Sequence, residues 1–323
     1  MKNILKIVFV IIGTLVGAGF ASGKEIYSFF FIYGKTGIIG MFLSSFLIGL
    51  VIYKVLKNCE KNGINSFQDF CDVAENSIIN KKGKHNGKNV ISKIFNGLVT
   101  VFLLIMFYVM ISGFSSFLYQ EFNLNRLIGS FLIIVLCYFT FIGNMSKLMN
   151  VSNYLIPFLI IFIIFISGKS IISSGVKNYI DFRLIIGDNN ASALSIIGFV
   201  KAILYASYNC IILIPVLVQL SSLVRNESYK SKSLKATSVK NSSIKIIKNK
   251  SLIISSVSSG IICVLNFAIY NLLLQGDYEI FRLDMPLIAI SKQIGVFYGI
   301  IYTLIIGIAI YTSAASSGVR ILK

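Results

Sequence analysis

IIGTLVGAGFASGKEI, residues 11 to 26, is the stretch that decides how this chain is read. Inside an apolar run it holds Gly13, Gly17, Gly19 and Gly23, together with Thr14 and Ser22. A glycine in a helix interior costs about 1 kcal/mol against alanine, so the four together weaken any helix drawn through them. Two readings follow. Small residues let a neighbouring helix approach closely, as membrane interfaces do. Alternatively the segment is unwound, which at membrane depth requires the freed backbone to line a cavity or meet a ligand.

The membrane setting comes from the residues around this stretch. The chain has 323 residues, 56% hydrophobic and only 13% charged, with a mean hydropathy of +0.83; soluble domains carry about 25% charged residues. A net charge of +18 would suggest nucleic acid in a soluble chain. Here the basic residues fall mostly between apolar runs, so the expected partner is the lipid bilayer and not nucleic acid. Stretches free of Asp, Glu, Lys and Arg cover 7–23, 36–53, 94–120, 127–146, 148–168, 202–224, 251–276 and 293–319. A helix crosses a bilayer core in about 20 residues, which makes these eight candidate spans. The first is not expected to be a cleaved signal peptide, since it has no Ala-x-Ala-like site and many spans follow. The five cysteines, Cys59, Cys71, Cys137, Cys210 and Cys263, are odd in number and lack CxxC spacing, so neither a disulfide framework nor a zinc site is indicated.

Basic residues also orient the spans. With the N-terminus inside, twenty-one Lys and Arg fall in cytoplasmic segments and eight on the opposite side, with Lys201 within a span. That asymmetry predicts both termini in the cytoplasm, with basic cytoplasmic loops over 54–93 and 225–250. Tryptophan is absent, so Tyr33, Tyr53, Tyr119 and Tyr278 near span ends are the candidates for an aromatic belt.

Two spans are over-long. The first can run on through Ile26–Gly34, and the sixth can begin near Ala191 if Lys201 is tolerated. The sixth contains Leu204-Tyr205-Ala206-Ser207-Tyr208-Asn209 amid isoleucines, with Pro215 beyond. Interhelical hydrogen bonds are one explanation of such polar residues. Interruptions in the first and sixth spans are also what two five-helix units of inverted topology would give, each beginning with a discontinuous helix.

The segment GTLVGAGFASGKEI with Phe29-Phe30 and Tyr33-Gly34, and the later LYASYN, resembles the YkvI-type family of bacterial membrane proteins. That family belongs to the amino acid–polyamine–organocation superfamily, whose fold is that of the sodium-coupled leucine transporter. The resemblance implies an all-α integral membrane fold, a leucine-transporter-like inverted repeat with discontinuous helices 1 and 6, in the bacterial cytoplasmic membrane. One membrane domain would span 1–323, with a first five-helix repeat over 1–168 and an incomplete second repeat of three helices over 191–323. A five-plus-five fold has ten spans and eight are expected here, which fits either a shorter family member or a truncated gene product.

Carried over residue by residue, the resemblance puts substrate contacts at Gly17, Ala18, Gly19, Phe20, Ala21 and Ser22, with Tyr205, Ala206, Ser207, Tyr208 and Asn209 opposite. A sodium ion would take carbonyls of Gly13 and Val16 with Ala309, Thr312 and Ser313, hard oxygen ligands for a hard cation; Ser316 and Ser317 are the competing register. Lys201 and Glu25 are the ionisable residues nearest the expected breaks and the candidates for proton coupling, set against a placement of both at the outer interface.

The expectation is a secondary transporter of a small zwitterionic solute, an amino acid, coupled to Na⁺ or H⁺ by alternating access, with no cofactor. The competing class is a non-transporting membrane receptor or an inactive, truncated relative. An enzyme is not expected. His85 stands alone in a Lys/Asn/Gly stretch, and Asp69, Asp72 and Glu75, like Asp277, Glu279 and Asp284, lie outside the spans, where solvation explains them.

Overall fold

The computed structural model describes residues 2–64, 66–79, 90–142, 145–174, 191–233 and 240–322, and among them it is helical without strands. Helix α1 (Lys2–Leu15) stops inside the glycine-rich stretch. Gly17 gives its amide to the Leu15 carbonyl at 2.9 Å and not to Gly13 four residues back, so the regular ladder ends there. Helix α2 (Ala18–Ser22) is a short continuation. Gly23 then takes φ +82, a left-handed conformation that glycine adopts without a Cβ penalty, and α3 (Lys24–Phe29) leaves in a new direction. A 3₁₀ turn (Phe31–Tyr33) leads into α4 (Gly34–Asn62). That reversal is tight: a Cβ on Gly37 would stand 1.8 Å from the Phe30 carbonyl oxygen, so only glycine fits.

Helix α5 (Phe67–Ile79) opens on a reciprocal cap in which Asp69 N–H donates to Ser66 Oγ and Ser66 N–H to the Asp69 carboxylate. Helices α6 (Val90–Phe122) and α7 (Arg126–Ile142) follow, joined through Asn123 at φ +55. Then come α8 (Met145–Ser174), α9 (Ala191–Ser233), α10 (Lys240–Leu273), the short α11 (Tyr278–Arg282), α12 (Pro286–Ile294) and α13 (Val296–Leu322). Proline at the start of α12 has no amide to leave unpaired there.

Among the described residues six helical stretches are long and apolar enough to cross a membrane: 24–62, 93–122, 154–172, 196–221, 250–273 and 296–315. Two shorter apolar helices, Ile4–Leu15 and Arg126–Thr140, correspond to the first and fourth expected spans. All eight apolar runs are therefore helical. The first is short because the break after Leu15 cuts it off from α2.

One expectation is corrected. The sixth span was expected to unwind near Leu204–Asn209, whereas α9 runs unbroken from Ala191 to Ser233, through Pro215. The polar side chains there bond within the helix: Ser207 Oγ to the Ile203 carbonyl at 2.7 Å and Asn209 Nδ2 to the Tyr205 carbonyl at 2.8 Å. Such back-bonding leaves the ladder in place. The basic segments 54–93 and 225–250 contain the end of α4, all of α5, the start of α6, the end of α9 and the start of α10. Residues 80–89 and 234–239, including His85, lie outside the described residues.

Helix α1 lies in the middle of the bundle against α8, α9 and α10, with Val8, Ile11 and Ile12 buried. Helix α2 packs on α13, α6 and α12, and α4 runs along α9 and α10. The large apolar side chains left outside, such as Leu98 on α6, Leu127, Phe131 and Phe139 on α7 and Ile172 on α8, face where lipid would lie. Three of the four expected belt tyrosines sit beneath a cation: Tyr53 under Lys57, Tyr119 under Arg126 and Tyr278 under Arg282.

Candidate functional site

The break after Leu15 is the centre of the site. Gly17 is the N-cap of α2 with an extended backbone, and Ala18 N–H points at Met110 Sδ, 3.4 Å away, a weak acceptor. The Val16 carbonyl accepts from Ser313 Oγ of α13 at 2.9 Å. One helical position earlier on α13, Thr312 Oγ1 donates to the Ala309 carbonyl at 3.1 Å. Four of the five residues expected around sodium thus fall into two bonded pairs, with the break of α1 touching α13. The fifth, Gly13, is one turn back in α1, where a Cβ would strike Ile156 Cδ1 at 2.0 Å. The side chains of Ser316 and Ser317 lie outside the described residues.

The far end of α2 is also held by α13. The hydroxyl of Tyr302, a fully buried side chain, donates to the Ala21 carbonyl at 2.7 Å. Gly23 interrupts the helix there, so this carbonyl would otherwise be an orphan acceptor in the protein interior. Sequence reasoning passed over Tyr302. Its hydroxyl within an apolar stretch of the span was the available signal, since polar groups at that depth need partners. Ser22, placed among the substrate contacts, is occupied locally: its hydroxyl bonds the Gly19 carbonyl and receives the Lys24 amide.

On the other side of α2, Glu25 of α3 meets α9. The Tyr208 hydroxyl donates to Glu25 Oε2. Glu25 Oε1 lies where Gly19 has no side chain; a Cβ there would stand 2.4 Å from it. Phe29, Tyr205 and Tyr208 form a triangle of rings with centroids 5.5 to 5.7 Å apart. Tyr205 is buried and directs its hydroxyl toward Asn266 Oδ1 of α10 at 3.5 Å, and Asn266 in turn reaches Ser45 Oγ of α4. Of the α9 residues expected at the site, Tyr205, Ala206 and Asn209 are buried and Tyr208 faces Glu25, whereas Ser207 is exposed on the opposite face beside Ile203 and Leu204. Ser207 is the one of these five that the helix turns away from the others. Lys201 is half-buried with Nζ 5.8 Å from the Phe29 ring centroid, on the Tyr205–Tyr208 face of α9.

The segment carrying α11 and α12 closes over this end of the bundle. Lys24 Nζ donates to the carbonyls of Phe281 and Leu283, both at 2.9 Å. Gln120 pairs with the Met285 backbone in both directions, and Arg126 bonds Asp284 at 2.9 Å. Lys292 bridges to Glu121, whose side chain is 5% exposed and also accepts from Thr303. Tyr27, Phe31 and Phe281 pack as a ring cluster beneath. Lys24, Arg126 and Lys292 thus clasp this segment to the rest of the bundle.

Comparison with known proteins gives one informative likeness. Over 173 residues, 54% of this chain, it is 28% identical to the uncharacterized membrane protein YkvI of Bacillus subtilis (strain 168), of which the match covers 46%. The matched part is about half of that protein's length. No family model matches the chain, and no solved structure matches it. Together with the six long apolar helices, the likeness makes this a multi-pass membrane protein similar to YkvI.

Proposed function

We propose that the chain is a secondary active transporter of a small zwitterionic solute, an amino acid, moved by alternating access with Na⁺ or H⁺ as the coupling ion. The observation that carries this reading is the broken α1. Backbone freed from a helix in the middle of a membrane bundle is tolerated where it meets a cavity, an ion or a solute. Here the break touches α13 through Val16 and Ser313 and reaches α9 through Glu25 and Tyr208. The resemblance to the amino acid–polyamine–organocation superfamily supports the same assignment, with both termini cytoplasmic in a bacterial plasma membrane.

In this reading a sodium ion would replace the Ser313 and Thr312 hydroxyl protons as the partner of the Val16 and Ala309 carbonyls. The solute carboxylate would take the Ala18 amide, displacing the weak Met110 contact.

A second reading draws on α9. The paired break is half present, because α9 is continuous, and one broken helix suits a ligand-binding receptor that does not cycle. Reconstituted protein separates the two. A transporter accumulates at least one labelled amino acid in proteoliposomes under an inward Na⁺ or proton gradient, and the accumulation collapses when choline replaces Na⁺ or an ionophore dissipates the gradient. A receptor shows saturable binding with no accumulation under either gradient.

A further inference from the structure

The Glu25 carboxylate is not needed to explain the break in α1, yet the break leaves a place for it. Glu25 is enclosed by protein but still partly accessible. Among the described residues no lysine or arginine lies within ion-pairing distance of it. Lys24 is bonded to the carbonyls of Phe281 and Leu283, and Lys201 holds its Nζ 5.8 Å from the Phe29 ring centroid. The carboxylate has one donor, the Tyr208 hydroxyl at Oε2, while Oε1 faces Gly19, where a side chain would block it. The Tyr208 ring that carries this hydroxyl packs with the rings of Phe29 and Tyr205, at centroid distances of 5.5 to 5.7 Å.

A buried carboxylate without a counter-cation is costly, and one flanked by aromatic rings is matched to an organic cation: charge pairs with the carboxylate, and the ammonium and its adjoining methylenes lie against the rings. We propose that Glu25, held by Tyr208 and backed by Phe29 and Tyr205, anchors the ammonium group of the solute at the glycine break. This rests on the transporter reading and sharpens it. The amine becomes the obligatory feature of the ligand, held by a side chain, while the carboxylate is held by a backbone amide and contributes less.

The test compares ligands before it compares variants, so it does not depend on a variant folding. Purified full-length protein is scanned for thermal stabilisation by the twenty amino acids. Each amino acid that stabilises it is then compared with its amine-lacking carboxylic acid and its decarboxylated amine, because a ligand bound only by the folded state raises apparent stability. The amine-lacking acid is expected to give no shift and the amine to keep part of it. In E25Q the affinity is expected to fall by at least about thirtyfold, with E25D retaining part and Y208F losing a few-fold. Equal stabilisation by the amine-lacking acid overturns the inference, as does E25Q binding within about twofold of the wild-type protein. If E25Q binds normally but loses proton-driven uptake, Glu25 carries the proton and the inference also falls. A well-folded wild-type protein that no amino acid stabilises and that takes none up overturns the transporter reading, and the inference with it.

Discussion

Helices α1 and α9 pose the same problem to the chain and solve it differently. Each is an apolar run with small and polar residues near its middle. In α1 the small residues are glycines, and the helix stops at Leu15 and turns again at Gly23. In α9 they are Ala206 and Ser207 beside Tyr205, Tyr208 and Asn209, and the helix continues. A polar side chain that bonds a carbonyl of its own helix has a partner without leaving the helix, and the ladder stays in place. A glycine supplies nothing to the ladder and removes the Cβ that would oppose a left-handed turn. Between these two runs the break falls at the glycines Gly17 and Gly23, and the polar side chains leave their helix whole.

The comparison makes the glycines the sharpest places to strike. Gly17→Leu has the largest expected effect on function. Its Cβ would meet the Met110 methyl at 2.4 Å, a flexible end that can swing aside, so the protein should fold while the added side chain fills the break. Ligand-dependent thermal stabilisation and uptake are both expected to vanish, with the protein still eluting as a single folded species. Retained binding would return Gly17 to a packing role and leave α1 no more special than α9.

Gly23→Val is the largest expected effect on stability. The position holds φ +82, and a Cβ would stand 2.6 Å from Leu287 Cγ, so backbone strain and overpacking act together. A loss of about 3 kcal/mol is expected in denaturant unfolding in detergent. A change below about 1 kcal/mol would mean that the second turn of the first span is not required by the fold.

Tyr302→Phe should cost less, about 1–3 kcal/mol, because it removes one donor and leaves the Ala21 carbonyl buried and unpaired. The expectation is read from the same unfolding measurement. A neutral result would mean that water or a relaxed α2 satisfies that carbonyl and that α13 does not hold the break.

These expectations also show what the sequence made legible. The eight apolar runs are all helical, and the glycine-rich stretch does break, because composition and glycine content act locally. The meeting of Val16 with Ser313 was available only through the resemblance, since nearly three hundred residues separate them. Tyr302 was missed for the same reason: the acceptor that gives its hydroxyl a purpose exists only once Gly23 has stopped α2. The continuity of α9 was misread because Ser207 and Asn209 were taken by their polarity, when the relevant fact was that each reaches a carbonyl four residues back. The helices within 54–93 and 225–250 were not legible, because basic charge reports topology and says little of conformation.

The smallest expected effect tests the other side of the comparison. Ser207 bonds back to Ile203 on an exposed face of α9, away from Glu25 and Tyr208. Ser207→Ala removes a bond that only competes with the helix's own ladder, so stability should change by no more than about 0.5 kcal/mol and uptake should be unaltered. A selective loss of uptake would show that α9 turns or opens during the cycle and brings this face to the solute. The continuous helix would then be one state of a helix that breaks in another, and the difference between α1 and α9 would be one of timing and not of sequence.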